Sequence, residues 1–143
     1  MYRCKVSVVD KPNANGVTHT RNVMEDAIKV ALDKPNGLFV TLENVKSPTI
    51  ALDKLCGRIE TLEIEGDEVI ATFVVLTGTP GGDMFQIFLD DMPETIGLNM
   101  NSTTTLDENK VVNDDFKIIK FTVAYLQEED IISSIEIMEE ECL

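Results

Sequence analysis

Few side chains in this sequence could support acid–base or covalent chemistry. Its one histidine, His19, lies in a polar loop just before a predicted helix. A serine or cysteine nucleophile needs a base whose pKa lies near neutrality, and His19 is the ordinary candidate for that base. The candidate nucleophiles are Ser47, Cys56 and Ser102, and none lies in a local nucleophile-elbow pattern. We therefore expect His19 to be an ordinary surface residue, and the sequence predicts no catalytic residue.

Two patterns resemble ligand sites but lack the spacing that the ligands need. The stretch TGTPGG at residues 77–82 is not followed by the lysine of a phosphate-binding loop, and Asp83 after it would repel phosphate. The acidic clusters do not have the spacing of a calcium-binding loop; they are Asp90-Asp91, Asp114-Asp115 and Glu139-Glu140-Glu141. We expect solvated carboxylates there, so the sequence predicts neither a metal nor a cofactor.

The cysteines are odd in number and have no CxxC spacing; they are Cys4, Cys56 and Cys142. This usage does not indicate a disulfide framework or a metal site. We expect buried or unreactive thiols in a reducing cytoplasm.

The charge of the chain limits its partners. Twelve basic residues stand against 26 acidic ones, which gives a net charge of −14, and residues 128–143 hold seven acidic residues and no basic one. Such a chain repels phosphate backbones and anionic lipids, so we expect no direct contact with nucleic acid or with a membrane. No apolar run reaches the ~20 residues that cross a bilayer, and the N-terminus lacks the apolar core of a secretory signal.

Hydrophobic periodicity predicts six strands and two helices. The strands are expected at residues 3–9, 38–42, 55–64, 69–76, 96–105 and 111–126. Thr20 is expected to cap a helix over residues 21–32, and Asp83 a shorter helix over residues 84–90. The predicted fold class is α+β, a mostly antiparallel sheet or a closed β-barrel that carries the two helices.

The last predicted strand has a clear alternation. Ile119, Phe121 and Val123 alternate with Lys120 and Thr122, which are expected to face solvent. We predict one β-rich domain over residues 1–127 and an acidic tail or helix over residues 128–143. The apolar positions of the tail fit a helical stripe, with strand pairing as the alternative; they are Ile131, Ile135, Met138 and Cys142.

The order of these elements resembles the prohead (head-maturation) proteases of tailed phages, whose fold is shared with herpesvirus assemblin. The resemblance covers about residues 3–127. It rests on the order and spacing of several segments: the Asn15-Gly16 turn, the helical run from Val23 to Ile28, Ser47–Asp53, GDEVIATFVVLTGTPGG at residues 66–82 and VVNDDFKIIKFTVAY at residues 111–125. The resemblance implies the prohead protease fold.

The positions at which that family carries its catalytic side chains hold other residues here. Glu43-Asn44-Val45 stands where the family has a Gly-His-Pro histidine, and Cys56-Gly57 where it often has a second histidine. Leu98 to Asn101 stands in place of the strand that carries the nucleophile. Neither Asn99 nor Met100 can form an acyl intermediate. The resemblance therefore implies a catalytically degenerate member that is not an enzyme.

The function expected on these grounds is structural. We predict a decoration or cement protein, made in the bacterial host cytoplasm and located on the outer surface of the virion capsid, with the major capsid protein as its partner and self-association left open. Packaged DNA would repel so acidic a domain inside the head, which favours the outer surface. The alternatives are a prohead core or scaffold factor or an inactive partner of a genuine protease, an active protease with relocated residues such as Ser102 and His19, and a small acidic binder of a host enzyme.

Overall fold

Helices α1 and α2 separate groups of consecutive strands along the chain in the computed structural model. It describes residues 1–13, 15–35, 37–43, 49–126, 132–133 and 135–138. The elements in these ranges are β1 (Tyr2–Val8), α1 (Arg21–Leu32), β2 (Phe39–Thr41), β3 (Leu55–Glu65), β4 (Glu68–Val75), α2 (Pro80–Asp91), a 3₁₀ turn (Pro93–Thr95), β5 (Ile96–Thr103), β6 (Lys117–Tyr125) and β7 (Glu136–Ile137). The predicted helix over residues 21–32 and the predicted β3–β4 hairpin are confirmed.

The strands form one mixed sheet in the order β5-β6-β2-β3-β4-β1-β7. Strands β2 and β6 are parallel, and the other neighbouring pairs are antiparallel. The sheet is curled into a half-barrel, because the Cys4 thiol of β1 interacts with the backbone of Leu98 on β5, five places away in the strand order. The predicted α+β class, a mostly antiparallel sheet with two helices, is confirmed.

Aromatic stacking holds helix α2 on the sheet. The Phe73 ring of β4 is fully buried, and it stacks between Tyr2 and Phe85 with ring centroids 5.6 and 5.8 Å apart. Burying a phenylalanine side chain of this kind stabilises a fold by about 1.5–3 kcal/mol. Helix α1 joins the same core through its apolar face, whose buried members are Met24, Ala27, Ile28 and Ala31.

The start of α2 differs from the sequence prediction. The helix begins at Pro80, and the Thr79 hydroxyl caps it by accepting a hydrogen bond of 3.0 Å from the Gly82 amide. Asp83 is therefore not the capping residue; it lies in the first turn and accepts a hydrogen bond of 2.9 Å from the Gly78 amide. The prediction was wrong because proline and glycine look like loop residues, although proline fits the first helical position well.

The face assignment of β6 also needs correction. Lys120 and Thr122, predicted to face solvent, are 2% and 1% exposed, and Phe121 between them is fully buried in the core. Both faces of β6 are covered at this point. Residues 49–54 approach the outer face, where the Lys120 ammonium donates a hydrogen bond of 3.4 Å to the Thr49 carbonyl. Periodicity alone gave no sign of this cover.

The chain beyond residue 131 adds a short strand to the sheet. Tyr2 pairs with Ile137 and Arg3 with Glu136 across β1 and β7, and Ile135 is buried. At residues 135–138 the strand alternative replaces the predicted helical stripe, while Ile131 and Cys142 lie outside the described residues. The boundary at residue 127 stays a prediction. Neither described helix has the length and apolar character that crossing a membrane requires.

Candidate functional site

A row of polar side chains crosses three strands on the sheet face opposite the core. Thr41 of β2 pairs with Thr122 of β6, and Thr122 in turn pairs with Asn99 of β5. One step along the same face, Lys120 pairs with Asn101. Ladder partners project to one side of a sheet, so these five residues form a contiguous surface, which we call the polar row.

Two groups of the polar row are buried without a partner. The Thr122 hydroxyl and the Asn101 side-chain amide nitrogen have no hydrogen-bond partner in the described part of the chain. The Thr41 hydroxyl, by contrast, is bonded to the Lys54 carbonyl and to the Glu43 amide. More than 90% of buried polar groups are normally satisfied, and an unsatisfied one costs about 1–3 kcal/mol. Such a cost is typical of functional positions rather than of packing.

Lys120 is a buried cation, and few polar contacts offset the cost of removing its ammonium from water. Its bond to the Thr49 carbonyl is long at 3.4 Å, and among the described residues it forms no ion pair with a carboxylate. Lys120 and Thr122 are two residues apart on one strand, about 6.6 Å between Cα atoms. The flexible lysine side chain spans such a distance easily. A lysine amine beside a hydroxyl is a known arrangement of base and nucleophile in acyl transfer.

The residues singled out in the sequence do not come together. His19 is 8% exposed, so the expectation of a surface residue is wrong; its ring packs edge-on against Phe116 at 4.9 Å, and its Nδ1 has no hydrogen-bond partner in the described ranges. Ser102 is exposed at the end of β5, and Ser47 lies outside the described residues. Burial raises the pKa of the Cys56 thiol to about 12, which makes it unreactive.

Cys4 behaves in the same way as Cys56. Burial raises the pKa of its thiol to about 12, and both cysteines are free. The expectation of buried thiols is confirmed for these two residues, and Cys142 lies outside the described residues. Within the described ranges no group of acidic, histidine or cysteine side chains could hold a metal ion.

His19 is expected to make the fold less stable in mild acid. Burial lowers the pKa of its imidazole below the usual 6.5, so the unfolded chain binds a proton first as the pH falls. The free energy of unfolding is therefore unaffected by His19 above pH 6.5. Below pH 6.5 it falls by at most about 1.4 kcal/mol per pH unit, until the folded-state pKa of His19 is reached. Urea unfolding at pH 7.5 and 5.5 measures this loss, which should be smaller in His19→Gln. Equal losses in the two proteins would contradict the assignment.

The polar row lies beside the two segments in which a histidine and a nucleophile were sought. The segment expected to carry a histidine follows directly after β2, although only Glu43 of Glu43-Asn44-Val45 is described. The segment expected to carry the nucleophile is β5 itself. Strand β6 lies between them, and it supplies Lys120 and Thr122. The signal that could have found these two residues is a lysine inside an otherwise apolar strand.

No family model matches the sequence, and no curated protein sequence matches it. The curled mixed sheet with its two helices is nevertheless a known fold, that of a capsid assembly protease. One solved structure with this fold is that of the bacteriophage T4 capsid assembly protease, gp21, to which the chain is similar with a TM-score of 0.75 and 17% sequence identity. The similarity covers 88% of this chain and 82% of that chain.

This finding overturns the prediction that the chain is not an enzyme. The structural neighbour is a protease, and a protease fold points towards catalysis rather than away from it. The prediction considered residues 43–45, 56–57 and 98–101 as places for catalytic side chains, together with His19, Ser47 and Ser102. It also assigned Lys120 and Thr122 to solvent, and so it missed a buried lysine and a buried threonine on the same face of one strand.

Proposed function

We propose that this chain is a peptidase that acts in the assembly of a phage capsid, with the polar row as its active site. One observation carries the proposal: Lys120 is buried on the same strand face as the Thr122 hydroxyl, which has no hydrogen-bond partner in the described chain. The fold shared with a capsid assembly protease supports the choice of reaction and of setting.

The proposed reaction proceeds in two stages. Lys120 is the base: its side-chain nitrogen accepts the proton of the Thr122 hydroxyl while the Thr122 oxygen attacks the scissile carbonyl carbon. The Asn101 amide donates a hydrogen bond to the resulting oxyanion. The C–N bond then breaks, and Lys120 gives its proton to the leaving amine. Water attacks the ester on Thr122, again with Lys120 as base. The acyl C–O bond then breaks, Lys120 returns the proton to the Thr122 oxygen, and the new carboxyl terminus is released.

The fold offers a way for a peptide to reach the polar row. Among the described residues, strand β5 is the last strand at its end of the sheet, so an extended peptide can pair with it beside Asn99 and Asn101. The hydrogen bond from Lys120 to Thr49 is at the weak end of the normal range. A substrate displaces residues 49–54 from Lys120 at small cost when it binds.

The Thr122→Val substitution is expected to lower the cleavage rate at least about a hundredfold, because it removes the nucleophile and keeps the side-chain shape. The fold should be kept, since the lost hydroxyl has no hydrogen-bond partner in the described chain. Unfolded casein and a proteome-derived peptide library serve as substrates, with new termini read by mass spectrometry. A β-lactone probe, which a nucleophilic hydroxyl opens to form an ester, should label the wild-type protein at Thr122.

The double variant Ser102→Ala/His19→Gln is the control for this experiment. It should keep the wild-type rate, because the structure does not join these two residues. A wild-type protein that leaves every substrate intact, or a Thr122→Val protein that cleaves normally, would contradict the proposal. Loss of cleavage in the double variant would assign the chemistry to the relocated pair instead.

A second proposal concerns location. The charge of −14 favours binding to the outer face of the capsid shell, because packaged DNA would repel the chain inside the head. The major capsid protein is then the partner, and the chain stays on the shell as a decoration protein does. Mass spectrometry of purified proheads and mature particles tests this. Loss of the chain on maturation would favour a core or scaffold role instead.

A further inference from the structure

The middle of the chain contains acidic residues but no basic ones. Residues 59–109 contain eleven Asp and Glu residues and no Lys or Arg. Basic residues from outside this stretch pair with its acidic residues on the β3–β4 hairpin, as Arg3 does with Glu65 and Lys5 with Glu68. Helix α2 lies near the centre of the stretch, and among the described residues none of its aspartates forms an ion pair.

Helix α2 has one buried and one exposed face. Phe85 and Leu89 are buried against the sheet, whereas Met84 and Ile87 are 52% and 59% exposed. These two are three residues apart, so they lie side by side on the solvent side. Phe88, half-buried, borders them.

Three carboxylates surround the exposed apolar pair; they are Asp83, Asp90 and Asp91, all exposed. The helix carries no basic residue. Lys54 is a cation near this helix. Its backbone lies close to Gly81 in the first turn, at the opposite end of the helix from Asp90 and Asp91. We call Met84, Ile87 and these three aspartates the α2 outer face.

The composition of this face determines what can cover it. Exposed apolar side chains lose contact with water when a partner packs on them, and methionine adapts well to partners of varied shape. A second copy would bring three more aspartates and a charge of −14 to the same face, which opposes self-association. A partner segment with leucine-like and basic side chains complements both the exposed apolar pair and the three aspartates.

We propose that the α2 outer face binds a basic amphipathic helix of a partner protein. The apolar side of that helix covers Met84 and Ile87, and its lysines or arginines pair with the aspartates. This surface lies on α2 and not on the strands that carry the polar row. The inference is therefore independent of the proposed peptidase function.

The test uses a synthetic helical peptide of about 18 residues, built from leucine and lysine in amphipathic order and carrying a fluorophore. Fluorescence anisotropy with the full chain measures its Kd. Met84→Gln/Ile87→Gln is expected to weaken binding about tenfold, and Asp83→Asn/Asp90→Asn/Asp91→Asn by a similar factor with a weaker salt dependence. The substituted positions are exposed, so thermal unfolding should stay near that of the wild type.

The matched control lies on the other helix. Val30→Gln/Glu25→Gln/Asp26→Asn removes one exposed apolar side chain and two charges from α1, and it should leave the Kd unchanged. Equal weakening in this control would show general charge attraction and overturn the proposal. So would unchanged binding in both α2 variants. Dimers in sedimentation velocity that Met84→Gln/Ile87→Gln dissociates would assign the face to a second copy, against the proposal.

Discussion

The Lys120→Met substitution is expected to abolish peptide cleavage, by about a thousandfold, while thermal stability stays the same or rises. The loss of rate follows from the loss of the base that activates Thr122. The gain in stability follows from burial: Lys120 is 2% exposed and has no carboxylate partner among the described residues. Replacing such a cation by an apolar side chain of similar length removes a desolvation cost.

The opposite directions of these two effects make the experiment informative. A lysine that serves only packing would lose stability and leave any cleavage rate unchanged. Cleavage of casein and thermal unfolding are therefore measured on the same preparation. Lys117→Met is the matched control, because Lys117 is exposed on the same strand and should change neither quantity. A Lys120→Met protein that cleaves at the wild-type rate would remove Lys120 from the mechanism.

The contrast between β3–β4 and β6 shows which parts of the fold the sequence could predict. The β3–β4 hairpin is local: Gly66 takes a positive φ of 64° in the turn, and Glu65 pairs with Glu68 directly across it. Turn chemistry and alternation are both visible in a short stretch of sequence. Strand β6 was also predicted, although its start moves from Val111 to Lys117.

The polar row could not be predicted because its cover is distant in the sequence. Residues 49–54 lie about seventy residues before Lys120, and alternation in β6 states only that its two faces differ. Which face of β6 is buried depends on which segments of the chain fold against it. The same limit applies to His19, whose position in a polar loop gave no sign of its contact with Phe116.

The prediction of the site residues missed Lys120 and Thr122 for a related reason. Comparison with a family's motifs tests only whether catalytic side chains stand at the motif positions. Those positions hold Asn99 and Met100, which cannot act as nucleophiles, so the comparison predicted no active site. Strand β6 was not considered, since in the sequence it follows the nucleophile segment and has no histidine or serine. The pairing of Thr41, Thr122 and Asn99 is a property of the sheet order, which the sequence did not provide.

The Gly82→Ala substitution is expected to destabilise the fold by about 3 kcal/mol or more, the largest stability effect expected here. A Cβ atom on Gly82 would overlap the carbonyl group of Leu76, and it would lie 2.8 Å from the Thr79 hydroxyl that caps α2. Because the obstacle is backbone at the end of β4, no side-chain rotation relieves the overlap. The helix must therefore move away from the sheet, and the Phe73–Phe85 stack opens with it.

Gly66→Ala separates this steric effect from the conformational cost of losing a glycine. Nothing lies within 4 Å of a Cβ atom at Gly66, yet its φ of 64° strains an alanine. That variant should lose only about 1 kcal/mol. Urea unfolding of both proteins, followed by circular dichroism, gives the comparison. If Gly82→Ala is no less stable than Gly66→Ala, helix α2 does not depend on its close approach to Leu76, and the described packing of α2 on the sheet is wrong.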